Sequence, residues 1–263
     1  MKRLLPILTV LFLAAAAQAA DMPVELSAKD SIAWRKSDKT YVASGDAEAT
    51  KGDTHLHANS LTAEYRETET GGTEVYQVTA RESARFSSRG LTGSAGQILY
   101  RADKNLVIMT EAPLVLDSNT AHITASRKIT LHESPRRVDL DGQARIQRKT
   151  DDTIMTANQM TALFSPGENG QDELSEIHAV GNVTLVSGKL ASLSDEATYN
   201  MATDEVVLVG HVKITREDSQ LGGDRAIINL TTGDSRILAA ENGEDRRVRA
   251  LFLPTDNDGE NAP

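Results

Sequence analysis

Val206-Val-Leu-Val-Gly-His-Val-Lys-Ile214 reads apolar-x-apolar-x-Gly-x-apolar-x-apolar. Ile177-His-Ala-Val-Gly-Asn-Val-Thr-Leu185 and Val138-Asp-Leu-Asp-Gly-Gln-Ala-Arg-Ile146 follow the same scheme, as does Tyr41-Val-Ala-Ser-Gly-Asp-Ala-Glu-Ala49. Two degenerate copies, Val78 to Phe86 and Ile108 to Leu116, are centred on Glu82 and Ala112 in place of glycine. The six centres fall at residues 45, 82, 112, 142, 181 and 210, in steps of 37, 30, 30, 39 and 29. A unit that recurs at such spacing buries its apolar side by stacking on its neighbours, so the repeat is read before any motif.

Strict alternation points to β-strands, because successive strand residues face opposite ways. Around Gly142, Val138, Leu140, Ala144 and Ile146 share one face, and Asp139, Asp141, Gln143 and Arg145 share the other. Most centres are followed by a second strand-like end, such as Ala63-Glu-Tyr65, Ile98-Leu-Tyr100, Ala162-Leu-Phe164, Ala197-Thr-Tyr199 or Ala226-Ile-Ile228. Polar links such as Thr68-Glu-Thr-Gly-Gly72 and Thr231-Thr-Gly-Asp234 supply turn residues between them. No helical periodicity follows residue 20. The expectation is an all-β chain of roughly 14 to 18 strands. Glycine weakens a strand interior, so its recurrence predicts a bend or a close backbone approach. Bends at matching positions stack V-shaped strands into two walls around one apolar interior.

That interior is aliphatic and small, with Ala at 43, 47, 49, 80, 84, 144 and 179. Only one Trp, four Phe and five Tyr occur in 263 residues. Two readings stay open: the alanines let the walls close into a dry core, or the walls leave a slot for a flexible apolar ligand. The inward positions Phe86, Leu114, Leu116, Leu140, Ile146, Val183, Leu185, Leu208, Val212 and Ile214 are the candidate lining.

Composition narrows the function. Acids outnumber bases 38 to 28, a formal net charge of -10, which argues against a nucleic-acid partner. No cysteine is present, which excludes disulfides, zinc-thiolate sites, iron–sulfur clusters and thiol catalysis. Lys2 and Arg3, the apolar run Leu4 to Ala17, and Ala17-Gln18-Ala19 form an export signal, with cleavage expected before Ala20. Residues 1–19 are therefore read as a signal peptide, 20–254 as one β domain and 255–263 as a disordered acidic tail. The remaining chain, with 38 acids and 26 bases, is expected in the periplasm of a two-membrane bacterium.

Few residues suggest chemistry. His55 and His57 share a strand face at a spacing metals can use, but no third ligand lies near in sequence, so a surface pair is the reading. Asp256-Asn-Asp-Gly259 opens like a calcium loop without its closing Glu. No phosphate loop, Gly-x-Ser-x-Gly or His-Glu-x-x-His motif is present. No cofactor, metal or catalytic residue is expected.

Several blocks resemble the OstA-like family of lipopolysaccharide-transport proteins, in particular its soluble periplasmic bridge members. They are Tyr199-Asn-Met-Ala-Thr-Asp-Glu-Val-Val-Leu-Val-Gly-His-Val212, Asp218-Ser-Gln-Leu-Gly-Gly-Asp224, Arg246-Arg-Val-Arg-Ala-Leu-Phe-Leu-Pro254, Met22-Pro-Val-Glu-Leu-Ser-Ala28 and Ala58-Asn-Ser-Leu-Thr-Ala63. Each is loose, but the ordered set covers nearly the whole chain after the signal. The extra length relative to short bridge members is expected as additional copies near residues 100 to 170.

The resemblance implies a β-jellyroll of stacked, bent antiparallel strands that holds the acyl chains of lipid A. By the resemblance Val24, Leu26 and Tyr199 join the lining. Each methylene shielded from water is worth about 0.8 kcal/mol, so one chain of about a dozen carbons is worth on the order of 10 kcal/mol. The implied partners are lipopolysaccharide, an inner-membrane protein of the LptC type, an outer-membrane translocon of the LptD type, and further copies of the chain joined head to tail. The N-terminal strands from Val24 to Trp34 would meet the inner-membrane partner. The last strand, with Val248, Leu251 and Leu253, would meet the translocon. Open first and last strands carry unpaired backbone groups suited to such strand addition. The alternatives from other classes are a repeat-built polysaccharide-active enzyme and a structural filament protein.

Overall fold

The computed structural model describes residues 22–69, 71–134, 136–167, 170–216, 219–239 and 247–252. The expected signal peptide, Leu253 and the expected tail lie outside the described residues. The first strands are β1 (Glu25–Ser27), β2 (Ser31–Arg35), β3 (Thr40–Lys51), β4 (Thr54–Glu67), β5 (Thr73–Ser88) and β6 (Leu91–Arg101). Next come β7 (Leu106–Thr110), β8 (Leu114–Asp117), β9 (Ala121–Ala125), β10 (Lys128–Glu133), β11 (Arg136–Arg148) and β12 (Ile154–Pro166). The last are β13 (Asp172–Ser187), β14 (Leu190–Asn200), β15 (Glu205–Arg216), β16 (Ser219–Asn229), β17 (Ser235–Leu238) and β18 (Arg249–Phe252). No helix occurs among the described residues.

Four pairs of short strands, β1/β2, β7/β8, β9/β10 and β17/β18, each act as one long strand broken at its middle. Counted so, the 18 elements form a fourteen-strand meander. Among the described residues every pairing is antiparallel and joins a strand only to the one before or after it. The long strands bend at the centres read from sequence. Registers slip between Ser44 and Ala47, Arg81 and Ala84, Asp141 and Ala144, Val180 and Val183, and Val209 and Val212. At each slip two successive residues have positive φ, as at Gly181 (80°) and Asn182 (51°), a bulge that turns the strand. Glycine is favoured at the first of the two for its backbone freedom and for space. A Cβ at Gly181 would lie 2.7 Å from Asn158 Nδ2 on the neighbouring strand. Glu82 (62°) and Ser83 (61°) make the same turn without glycine.

The aligned bends divide the sheet into two facing walls. One contains β2, β7, β10 and β17; the other contains β1, β8, β9 and β18; the remaining strands run through both. Buried aliphatics from both walls form one cluster along the whole described chain. Val138, Leu140, Ala144 and Ile146 are buried, while their neighbours Asp139, Asp141, Gln143 and Arg145 are half-buried or exposed. All seven alanines singled out above are buried.

Opposite the bends, the hairpin turns of the two walls meet along a seam laced by polar contacts. Lys51 Nζ donates to the Ala102 carbonyl at 2.9 Å, and Thr54 Oγ1 to Glu133 Oε1 at 2.7 Å. The Asp172 N–H donates to the Arg89 carbonyl at 3.1 Å, and Arg216 Nη1 to the Gly233 carbonyl at 2.7 Å. These turns are shaped by their own side chains. In the turn between β14 and β15, Asn200 Oδ1 accepts from the backbone N–H groups of Ala202 and Thr203, which turns the chain toward Asp204.

Candidate functional site

All thirteen candidate lining residues face the interior. Phe86, Leu114, Leu116, Leu140, Ile146, Val183, Leu185, Tyr199, Leu208, Val212 and Ile214 are each at most 3% exposed. Val24 and Leu26 are half-buried and pack against the same cluster. The walls therefore lie against each other, and the interior is continuous from the first strand to the last.

Tyr199 differs from its aliphatic companions. Its ring is buried, but its hydroxyl reaches the seam and donates to Asp204. Arg148 lies 5.2 Å above the ring centroid and donates to Asp204 at 2.8 Å and to Asp151. Burial works against the Arg148 charge, yet the bonds to Asp151 and Asp204 outweigh it and raise its pKa. Burial, and then the hydrogen bond to Asp204, raise the Tyr199 phenol. Desolvation pushes the Asp204 carboxyl up, but hydrogen bonds from Tyr199, Thr231 and Arg148 prevail and hold it below the ordinary range. This cluster clamps the turn after β11 to the turn before β15. The sequence offered Tyr199 only as lining; the Tyr-x-x-x-x-Asp spacing, read across a turn, was the available signal.

Among the described residues the sheet has an open strand at each end: β1 and β2 pair only with β3, and β17 and β18 only with β16. Trp34 is 60% exposed, although its indole stacks on Tyr41 at 6.2 Å and donates to the Tyr65 hydroxyl at 2.8 Å. Val248 and Leu251 are exposed. Ile32 and Phe252, not singled out from sequence, are exposed beside them, with Phe252 at 74%. Apolar side chains on both faces of a short terminal strand were their signal.

His55 and His57 do not face a third ligand. His55 Nδ1 lies 3.0 Å from Glu48 Oε1, and His57 Nε2 lies 2.5 Å from Asp46 Oδ1, across the β3–β4 ladder. Among the described residues no group of three metal-ligating side chains is assembled.

Bent antiparallel strands folded into two facing walls around an unbroken apolar interior define the protein as a β-jellyroll built from repeated units. The family model for the LptA/(LptD N-terminal domain) LPS transport protein matches twice, over residues 28–135 and 123–234. The chain belongs to this lipopolysaccharide-transport family, a non-enzymatic one, and the reading as a polysaccharide-active enzyme falls with it. No curated protein matches. Among solved structures, LptH of Pseudomonas aeruginosa, described as the LptA homologous periplasmic component of the conserved lipopolysaccharide transport device, is similar at 11% identity and a TM-score of 0.24. The match covers 89% of this chain and 96% of that one.

The double match revises the expectation of extra copies in the middle. The bends at 45, 82 and 112 recur at 142, 181 and 210, so the six units are one three-unit block present twice. The recurrence of one long step after every two short ones already contained this period of 97 to 99 residues.

Proposed function

We propose that this protein is a periplasmic carrier that shields the acyl chains of lipopolysaccharide between its two walls and bridges the membranes by end-to-end strand pairing. The observation that carries the reading is an apolar interior that runs unbroken between two open sheet edges. Phosphates and sugars stay in water, because the chain is acidic and does not attract them in bulk. Loading parts the walls along the seam, where contacts are polar, and the bends act as the spine. The acyl chains then replace wall-to-wall contacts of the lining residues, which exchanges one apolar contact for another and leaves little barrier to sliding. The N-terminal edge, with Trp34, meets an inner-membrane partner of the LptC type. The C-terminal edge, with Val248, Leu251 and Leu253, meets a translocon of the LptD type, and copies join head to tail between them.

The test is photocrosslinking. A benzophenone side chain at Ile146 or Val183 should form an adduct with lipopolysaccharide, and one at the outward Arg145 should not. Equal labelling at inward and outward positions removes the carrier reading. Depletion in a two-membrane bacterium should leave lipopolysaccharide at the inner membrane; normal surface lipopolysaccharide would favour a structural filament.

A further inference from the structure

Two inward rows cross the whole sheet without a step. In the first wall Ile32 stands opposite Ala43, Ala43 opposite Leu61, and Leu61 opposite Ala80. That row passes from Met109 to Ile129 and ends with Leu208, Ala226 and Ile237. In the second wall the row starts with Leu26 opposite Ala49, passes from Leu116 to Ile123, and ends with Ile214, Leu221 and Ala250. Every junction between neighbouring strands of the meander keeps both rows, because each slip at a bend is matched by the bend of the next strand.

The rows end on side chains that face inward and yet meet water. Ile32, opposite the buried Ala43, is 47% exposed, and Trp34 on the same face is 60% exposed. Phe252 lies two residues beyond Ala250 and so shares its inward face, but it is 74% exposed. Elsewhere in the sheet such positions are covered by the next strand; beyond these there is none among the described residues. Apolar side chains bared beside an unpaired strand edge mark a surface that a further strand completes.

The completing strand must serve both walls. A short straight strand continues one row only. A strand broken at its middle, with an inward residue in each wall, continues both. The chain already contains such a joint. At its centre the broken strand β7/β8 meets the broken strand β9/β10, with Met109 opposite Ile129 in one wall and Leu116 opposite Ile123 in the other. The leading strand β1/β2 is the counterpart of β9/β10: Leu26 and Ile32 hold on β3 the places that Ile123 and Ile129 hold on β11.

We propose that the trailing edge takes the leading edge of a second copy in one register only, the one that continues both rows. Ile237 then stands opposite the next copy's Ile32, and Ala250 opposite its Leu26. The same register sets Phe252 against the next copy's Val24 and Ser235 against its Trp34, so the bared inward side chains cover one another. On the outer face it pairs Arg236 with Ala33 and Arg249 with Ser27. The inference rests on the end-to-end reading above and adds the register and the residues that fix it.

The test is disulfide capture between single-cysteine variants, which is clean because the chain has no cysteine of its own. Arg236→Cys is mixed with Ala33→Cys, or with Ser31→Cys or Arg35→Cys, the partners of a register slipped by two residues either way. Arg249→Cys is likewise mixed with Ser27→Cys, or with Glu25→Cys or Lys29→Cys. All eight positions are exposed, so each variant should melt as wild type does. Residues directly opposite have Cβ atoms about 4.5–5.5 Å apart and those two along about 7–8 Å, whereas a disulfide needs about 3.5–4.5 Å. Under oxidised glutathione, Arg236→Cys with Ala33→Cys and Arg249→Cys with Ser27→Cys should therefore give about tenfold more covalent dimer than the slipped mixtures. Trp34 is the one tryptophan, so its emission should also move to shorter wavelength as wild-type oligomers form. Capture by a slipped partner overturns the register and leaves end-to-end pairing standing. Capture in one wall only, or oligomers without a change in Trp34 emission, overturns the continuation of both rows. Wild type that stays monomeric on sedimentation, with no capture in any mixture, sinks end-to-end pairing itself, while labelling of Val183 by lipopolysaccharide judges the carrier reading separately.

Discussion

Arg148 Nη1 lies 2.8 Å from Asp204 Oδ1 and so ties the turn after β11 to the turn before β15 across the seam. Both side chains are mostly buried, at 16% and 20% exposure, so the pair is not a surface ornament. Removing one member of a buried pair strands the other charge. We expect Asp204→Asn to cost about 2–4 kcal/mol at pH 7, read from urea unfolding. The pH dependence follows from the depressed carboxyl. Its folded pKa lies below the ordinary 3.8, so its contribution is present above that value and lost as pH falls through the folded pKa. The stability gap between wild type and Asp204→Asn should therefore shrink below about pH 4. A gap constant from pH 7 to pH 2 would contradict the role of the charge.

The bends predict substitutions of opposite sign. At Gly181, φ is 80° and a Cβ would sit 2.7 Å from Asn158 Nδ2, so Gly181→Ala should destabilise by about 1–3 kcal/mol. At Glu82 the same turn is made with a Cβ at φ 62°. There the reverse change, Glu82→Gly, should stabilise by about 0.5–1 kcal/mol, the steric relief exceeding the added freedom of the unfolded chain. Thermal unfolding of the two variants against wild type decides the matter. Loss of stability in both would show that the bends are not set by backbone conformation.

The bend positions were legible because a glycine at the centre of a period-2 apolar pattern weakens the strand unless the chain turns there. Inward residues such as Leu140 and Val183 were legible from the same pattern, since parity settles the face. The clamp was not. Arg148, Tyr199 and Asp204 meet only because two walls fold together, and alternation within a strand carries no information about which turns face each other. The closed state of the interior was likewise outside the pattern, which reports which side is apolar and not how near the opposite wall stands.

His211 offers a local titration. It follows the bend at Gly210, is exposed, and its Nδ1 lies 2.7 Å from Asp195 Oδ2. The hydrogen bond to Asp195, and then the charge of that carboxylate, raise the imidazole pKa above 6.5. With the folded value above the unfolded one, any stabilisation is fully present below about pH 6.5 and disappears as pH rises through the folded pKa. NMR titration should give His211 a midpoint above 6.5, and Asp195→Asn should return it to about that value. An unchanged midpoint in the variant would assign the shift to another source.

The ends carry the last prediction, which concerns polarity. The first long strand, β1 then β2, runs from the second wall to the first. The last, β17 then β18, runs from the first wall to the second. With fourteen strands, the leading edge of one copy can therefore pair antiparallel with the trailing edge of another while both walls stay aligned. An odd strand number would break that alignment. Two unlike edges joined this way make an open stack and not a closed dimer. Lysine on an edge strand opposes pairing with little effect on the folded monomer, since exposed substitutions usually change stability by about 0.5 kcal/mol or less. Ile32→Lys should block the leading edge, and Leu251→Lys the trailing edge; both native side chains are exposed. By sedimentation, wild type should form a concentration-dependent series of oligomers, and each variant alone should remain monomeric. An equimolar mixture should stop at the dimer, because each variant retains one competent edge of the opposite kind. A dimer formed by either variant alone would mean that like edges pair with like. Head-to-tail stacking would then have to be abandoned, whatever the interior carries.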